Sequence, residues 1–484
     1  MRQEDMEKIL KVGVLLSAER DPNRLLERIL ECVMELAHCD AGTLYLKDGD
    51  ALAFEIMRND TLKTYSGGTK GRPELPPVPL NRSNVCAMAL LDNRTICIED
   101  VKDNKDYDFS GPIRYDAMTG YNTRSMLVVP MRNREGGRIG VIQLINALDE
   151  NGSVCAFAPD MALVMESVAS QAAITIQNVR YMEEIKKLFQ SFVRVMSSAI
   201  DERTPYNASH ARHMAECGGR FVDYLGTCEG EKAFSQEEKE EFLMSILLHD
   251  IGKLVTPLEV MNKAKRLFPN QHADIAHRLE VIRLRAEIDC LAGRMTVEEK
   301  EKRISETRRA WELIEEINGA GFVQDTLLEG LKELQKRDYI DEDGEAHPWI
   351  EPEEYRMLSI RKGTLSEEER EIMEEHVSVT DRLLSQIHFS GSLSHVREWA
   401  SAHHEFLNGT GYPKHKRAEE IPYEVRMITI LDIFDSLVAD DRPYKRAMPV
   451  DRALSILKAM AEQEGKLDLG LTELFIKSRC WEAG

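Results

Sequence analysis

The stretch His403-His404-Glu405-Phe406-Leu407-Asn408-Gly409-Thr410-Gly411-Tyr412-Pro413 decides how the C-terminal half of this chain reads. Paired histidines ahead of a glycine-proline turn predict an open metal site. Gly409 and Gly411 permit backbone angles closed to other residues, and Pro413 fixes the exit, so a rigid loop can approach a ligand closely. Upstream stand His210, His249-Asp250 and His376, and downstream stands Asp432. A single histidine is more often a capped or core residue, but an ordered series can hold two cations. A carboxylate such as Asp250 can bridge them while neutral imidazoles complete each sphere, leaving room for water and a phosphate oxygen. Paired cations lower the pKa of water between them and neutralise phosphate charge, which is the chemistry of in-line phosphoester hydrolysis.

The flanks of these residues are specific as well. They are Asn207-Ala208-Ser209-His210-Ala211-Arg212, Leu248-His249-Asp250-Ile251-Gly252-Lys253, Glu375-His376-Val377, the 403–413 stretch, and Asp432-Ile433-Phe434-Asp435-Ser436-Leu437 with Arg442-Pro443-Tyr444-Lys445. On these motifs the chain from about 200 to 460 resembles the HD-GYP family of cyclic dinucleotide phosphodiesterases, a branch of the HD superfamily. The resemblance implies two divalent metal ions, iron or manganese, held by His210, His249, Asp250, His376, His403, His404 and Asp432, with Asp250 as the bridge. It implies that Lys253 touches the scissile phosphate and serves catalysis beside Asp250. Gly409, Gly411, Tyr412 and Pro413 would line the substrate, and Arg442 and Lys445 would hold its phosphates and guanine, a sensible use of a forked cation and a point charge. Some members take a third metal through a glutamate four residues before the first histidine. Tyr206 stands there instead, so two metals are expected, with Glu202 or Glu405 the alternative carboxylates that can approach the position.

The expected reaction is hydrolysis of the 3′–5′ phosphodiester of cyclic di-GMP to pGpG, and on to GMP if that product rebinds. Cyclic GMP-AMP is an alternative substrate that no motif here separates from it. Other classes compete: an HD phosphohydrolase acting on another nucleotide, a non-catalytic cyclic dinucleotide receptor, and a diiron oxygenase on the same scaffold. The 403–413 stretch argues against the first, and the full ligand set argues against the second.

The sequence has 484 residues with 43% hydrophobic content, more than one typical domain needs and ordinary for globular chains. A net charge of −21 argues against DNA as a partner, since polyanion binding needs an excess of Lys and Arg. The nine cysteines lack the close pairs of zinc ribbons or redox dithiols and read as reduced thiols. No secretory start and no apolar run of membrane-spanning length are evident, so no membrane association and a cytoplasmic location are expected.

Of 13 histidines only His38 precedes residue 200, so the N-terminal half does other work. Ala41–Leu46 and Ala51–Ile56 flank the Lys47-Asp48-Gly49-Asp50 turn as a hairpin, and Ser125–Pro130 and Ile139–Asn146 flank a second turn at Arg134–Gly137. Thr123–Met131 and Gly140–Asn146 resemble the strand motifs of a GAF domain. Its cyclic-nucleotide signature is matched in part, by Asn146, Phe157 and Asp160, with Ala147 and Met161 where lysine and glutamate would follow. The GAF ligand is therefore an unknown small molecule, and the plain reading puts Phe157 in a core. Tyr181, Ile185, Leu188, Phe192, Val195 and Ala199 recur at spacings of four and three, the seam of a signalling helix that would pair two chains as a homodimer.

The expected architecture is multidomain α+β. A GAF sensory domain spans 1–176 as an antiparallel sheet with helices. A connecting helix covers 177–203, and an all-α HD-GYP domain fills 204–484. The distance from His249 to His376 exceeds the family's compact spacer, so 268–360, rich in Glu, Lys, Arg and Leu, reads as a helical insertion. Its His272, His277 and His347 lack ligand flanks and are assigned to surface or packing.

Overall fold

The computed structural model describes residues 13, 19, 21–133, 135–203, 209–341, 343–439 and 448–482. Tyr206, Arg442 and Lys445, and Arg134 of the second turn, lie outside the described residues. The chain divides into two units, Met1–Phe189 and Gln190–Gly484.

In the first unit, helix α1 (Pro22–Ala37) starts where the Asp21 side chain accepts from the Arg24 amide, with proline in the first turn. Strands β1 (Cys39–Asp48), β2 (Ala51–Asn59), β3 (Thr64–Gly67), β4 (Val78–Pro79), β5 (Ile96–Ile98), β6 (Met126–Arg132), β7 (Arg138–Leu148) and β8 (Val154–Cys155) form one antiparallel sheet. Its main order is β3-β2-β1-β7-β6-β5. Helices α2 (Val85–Asp92) and α3 (Ser110–Thr119) belong to the same unit, and α4 (Met161–Asp201) begins in it. The β1–β2 hairpin turns at Gly49, whose φ of 56° suits glycine, with Asp48 opposite Ala51.

Strand periodicity builds two cores. In β6, Leu127 and Val129 face α1 and the 164–176 stretch of α4, while Met126 and Val128 face α2 with Tyr45, Leu52 and Val141. Strand β7 lies centrally, with Ile142 opposite Leu44 on one side and Val129 on the other. Phe157 packs in the first of these cores. Asn146 gives its side-chain amide to the Tyr121 hydroxyl and the Asn122 carbonyl, so two of the three matched signature positions, Asn146 and Phe157, are engaged within the fold.

Helix α4 runs unbroken for 41 residues. Its seam is open to solvent: Tyr181 is 51% exposed, Ile185 61%, Leu188 71%, Phe192 58% and Val195 65%. Apolar exposure at heptad spacing is what an unpaired coiled-coil strand presents.

The second unit is built on α5 (His210–Leu225), α6 (Gln236–Leu248) and the short α7 (Leu258–Met261), followed by α8 (Pro269–Leu291), α9 (Val297–Gly319), α10 (Asp325–Gln335) and α11 (Pro352–Leu358). Next come α12 (Glu367–Leu384), α13 (Val396–Ala400), α14 (Tyr423–Val438), α15 (Val450–Glu462) and α16 (Leu469–Ser478). Phe221, Phe242, Val425, Ile428, Leu457 and Phe475 anchor the main core. Helices α8 to α11 gather a separate core around Ile282, Ile314, Leu331 and Trp349. That region departs from an all-helical expectation in one respect: β9 (Asp338–Ile340) and β10 (Ala346–Pro348) form a two-stranded ribbon. The ribbon brings Arg337 to the Trp349 ring, which Arg303 also approaches. At its base Arg266, fully buried, donates to the carbonyls of Ile317, Ala320 and Ile360, and the Thr364 hydroxyl donates to the Lys263 carbonyl at 3.0 Å. His272 pairs with Glu315 and His347 with Asp341, so these two histidines are engaged locally.

Candidate metal centre

Helix ends place the site. A capping box between Ser235 and Glu238 starts α6, which ends on His249, and Asp250 opens the 3-10 turn Ile251–Val255 that carries Lys253. A second box, Ser366 with Glu369, starts α12 and sets His376 near its middle. His403 and His404 follow α13, Asp432 sits within α14, and His210 is the first residue of α5. The 3-10 turn lies hard against α12. The Thr380 hydroxyl accepts from the Gly252 amide and donates to the His249 carbonyl, each at 3.0 Å. A Cβ on Gly252 would lie 1.8 Å from the His376 carbonyl oxygen, so only glycine permits the approach.

The imidazoles share one orientation device. His249, His376 and His403 direct Nδ1 at the carbonyls of Ile246, Met373 and Ala400, at 2.6, 2.6 and 2.8 Å. A carbonyl can only accept, so each Nδ1 carries the proton and each Nε2 presents its lone pair. Those three Nε2 atoms, with Asp250 Oδ1, are buried without a hydrogen-bond partner. Orphaned buried acceptors are costly unless something electrophilic meets them. Asp250 turns its two oxygens apart. Oδ1 lies 3.5 Å from His376 Nε2 and 4.0 Å from His403 Nε2, while Oδ2 lies 3.2 Å from His249 Nε2 and 3.9 Å from His210 Nε2. Two groups could each hold a cation, His376-His403-His404 and His210-His249-Asp250, the donor atoms of each lying within 4.8 Å of one another. Asp432 reaches both, at 3.2 Å from His210 and 3.6 Å from His404. Neutral imidazoles with carboxylates fit a divalent transition metal.

Electrostatics keep the donors in ligating form. Burial pushes His376 down to about 4, and burial with the neighbouring His404 and His249 pushes His403 well below the usual range. Burial would raise Asp250, but His249 and Lys253 hold it well below the ordinary carboxylate value. His210 goes the other way: burial lowers it, yet hydrogen bonds with Asp432 and Asp435 lift it to about 10. A proton there occupies the lone pair that a cation would take.

Lys253 Nζ reaches Asp250 Oδ2 at 2.6 Å. Tyr412 lies beside the histidines, its ring centroid 4.7 Å from that of His404 and 6.4 Å from that of His376. The loop beyond is held from below by Glu405, only 2% exposed, which accepts the amides of Lys414 at 2.7 Å and Lys416 at 2.9 Å. That carboxylate is thereby spent on the backbone rather than offered to a third cation. Gly409 has φ +78°, as the sequence suggests, but Gly411 does not require an unusual angle. It is needed for space, since a Cβ would meet the Phe406 amide nitrogen at 2.3 Å and the His404 oxygen at 2.4 Å. Tyr412 and Pro413 are joined by a cis peptide bond.

Sequence reasoning did not single out Asp435, whose Oδ2 accepts from His210 Nδ1 at 2.6 Å. Its spacing of three from Asp432 on one helix was the available signal, since such residues share a face.

Residues 350–469 match the HD domain family and residues 21–176 match the GAF domain family. The HD match takes in His376, His403, His404 and Asp432, while His210, His249 and Asp250 precede the separately cored helices. The chain is 41% identical over 98 residues to the 3'3'-cGAMP-specific phosphodiesterase 3 of Vibrio cholerae, covering 20% of each. It is 34% identical over 121 residues to a cyclic di-GMP phosphodiesterase of Thermotoga maritima, covering 25% of this chain and 32% of that one. The matching segments thus span a third or less of these relatives. A solved GAF domain from a phosphoenolpyruvate-protein phosphotransferase of Coxiella burnetii aligns at 12% identity and TM-score 0.30, over 37% of this chain and 96% of that one. Residues 21–176 thus carry a GAF domain match and residues 350–469 an HD domain match, the latter taking in part of a histidine-aspartate cluster that could hold metal.

Proposed function

We propose that the protein is an HD-GYP-type phosphodiesterase that hydrolyses the 3′–5′ phosphodiester bonds of cyclic di-GMP to pGpG and onward to GMP. The observation that carries the reading is the convergence of three orphaned Nε2 atoms on a buried carboxylate whose oxygens face two separate donor groups. His210, His249, Asp250 and Asp432 would hold one divalent cation, and His376, His403, His404 with Asp250 the other, iron or manganese suiting the donors. When bound, such a pair supplies an activated water and neutralises phosphate charge. The chain's own residues do the rest. Asp250 fixes the spacing of the two donor groups. Lys253, beside it, offsets charge that builds on the phosphate oxygens during attack. Tyr412 walls the histidine side of the cleft, and Glu405 keeps that wall in place. Arg442 and Lys445 complete the substrate contacts in this reading.

The same reading assigns 1–176 to a sensory domain with an unknown small ligand, 177–203 to a signalling helix, and 204–484 to the catalytic domain with 268–360 inserted. The exposed seam of α4 supports a parallel homodimer, and nine free cysteines fit a reducing cytoplasm. Among the described residues no helix is long and apolar enough to cross a membrane. Cyclic GMP-AMP is a second substrate reading, favoured by the Vibrio cholerae relative named for it.

The test is anaerobic incubation of iron- or manganese-loaded protein with cyclic di-GMP and, separately, 3′3′-cyclic GMP-AMP, followed by chromatography. Linear dinucleotide or mononucleotide is expected, and none from Asp250→Ala, which should also lose metal. Absence of product from both substrates in metal-replete protein would refute the proposal.

A further inference from the structure

Helix α4 ends at Asp201, and two residues later a half-buried arginine turns back onto the catalytic element. Arg203 Nη1 donates to the Lys253 carbonyl at 2.7 Å and to the Leu254 carbonyl, and its Nη2 donates to the Thr256 carbonyl at 3.3 Å. Lys253 and Leu254 lie near the end of the 3-10 turn Ile251–Val255 and Thr256 caps it, and although the Lys253 carbonyl also takes the Thr256 amide, carbonyls at the end of so short a turn have lone pairs to spare. A guanidinium is suited to the task because its planar fork binds several oxygens in fixed geometry, and its charge complements the negative end of a helical turn. The turn so clamped is the one that matters chemically. Asp250 opens it, and Lys253 within it sends Nζ to Asp250 Oδ2 at 2.6 Å. Its opposite side is locked by Thr380 and Gly252 against α12. The turn therefore has a fixed side, toward α12, and a side whose hold depends on the residue that closes α4. The last turns of α4 bury Val193, Ser197 and Ile200, so Arg203 is not on a loose tail.

We infer that Arg203 is a positioning residue through which helix α4 sets the Lys253–Asp250 pair, so that displacement of the helix end changes turnover without changing metal loading. Among the described residues, the hydrogen bonds of the guanidinium go to backbone carbonyls and to no histidine or carboxylate of the metal centre. Because three acceptors are shared by one fork, lysine cannot reproduce the hold: an ammonium carries the charge but reaches the carbonyls as a single point. The inference rests on the proposed phosphodiesterase activity for its kinetic reading, but the clamp itself does not.

The experiment uses the full chain, metal-loaded, as wild type, Arg203→Ala, Arg203→Lys, Lys253→Ala and the Arg203→Ala/Lys253→Ala double variant. Amide hydrogen exchange is followed over 250–256, where the Lys253 amide bonds Asp250 and the Thr256 amide bonds Lys253. Exchange there should quicken in both Arg203 variants, with α12 and α14 unchanged and metal content at the wild-type level. With cyclic di-GMP, Arg203→Ala should lower kcat by roughly tenfold, the scale of losing charge-assisted hydrogen bonds, and add nothing in the Lys253→Ala background. Arg203→Lys, which keeps the charge and guards against a variant that fails to fold, should fall between. Unchanged exchange over 250–256 would overturn the inference, as would a loss of kcat that multiplies in full with that of Lys253→Ala. If wild type turns over no cyclic dinucleotide, the activity proposal fails by itself, and the exchange result still decides whether Arg203 holds the turn.

Discussion

Replacing Asp435 tests how the metal centre is oriented, because among the described residues its carboxylate bonds one proposed ligand, His210, at the nitrogen turned away from Asp432. Its Oδ2 stands 2.6 Å from His210 Nδ1, while His210 Nε2 points to Asp432 at 3.2 Å. With Asp435→Ala, Nδ1 loses a charged acceptor inside a buried site, and the ring is free to turn or to change tautomer. A hydrogen bond to a charged group is worth about 1.5–3 kcal/mol. At about 1.4 kcal/mol per tenfold, that range corresponds to a loss of roughly 10- to 100-fold in affinity for the cation that His210 holds. Outer partners of metal-bound histidines typically cost about that much when removed. The His376-His403-His404 group does not use Asp435, so its affinity should stay near wild type. The assay is equilibrium dialysis of manganese against graded chelator, with metal per chain read by plasma emission. Wild type should bind two metals per chain, and Asp435→Ala should weaken the site that includes His210 while leaving the other as it was. Asp435→Asn keeps a neutral oxygen acceptor and should lose less. Equal affinities in all three proteins would refute the orientation argument, and parallel weakening of both sites would show that Asp435 acts on the whole fold.

Three other outcomes follow from geometry already described. Lys253→Ala should keep its metal yet lose about 10²-fold in rate if it stabilises charge in the transition state, and a retained rate would demote it to a surface cation. Gly252→Ala forces a methyl against the His376 carbonyl and should cost about 1–3 kcal/mol or more, visible as a lowered melting temperature; an unchanged melt would mean the turn and α12 are not held together as described. Leu188→Glu, at a seam position 71% exposed, should leave the melting of the single chain unaltered but convert a dimer to monomer in sedimentation velocity, and an unaltered dimer would remove α4 from the interface.

Most of the candidate cluster was legible because its donors come in rigid sequence neighbourhoods: His249-Asp250 at a helix end, His403-His404 before a glycine-rich loop, and Asp432 on an apolar helix. Tertiary structure was needed for what lies between them. That Asp250 divides its oxygens between two groups depends on side-chain rotation, which no spacing encodes. Glu405 could not be told from a ligand in the sequence, since only the folded loop brings the Lys414 and Lys416 amides to it. Gly411 was read for its torsions, whereas the structure needs its missing side chain. In the N-terminal unit the apolar runs Ser125–Pro130 and Ile139–Asn146 around a turn revealed the sheet, while the division of Leu127 and Val129 from Met126 and Val128 between two cores needed the folded structure. The ribbon at Asp338–Pro348 escaped notice because its strands are short and its flanks are polar, so neither periodicity has room to show.

The hydroxyl of Thr364 resting on the Lys263 carbonyl means that about a hundred residues leave the helices of the candidate metal centre and come back to the point of departure. Closing such an excursion costs chain entropy that rises only with the logarithm of its length, so a long detour is scarcely more expensive than a short one. With its own apolar centre around Trp349, the excursion can gain and lose order as a separate cooperative unit. It follows that the segment should be excisable. A few flexible residues joining Lys263 to Thr364 would leave α12 packed on the 3-10 turn, and the detour in isolation should melt as a small protein of its own.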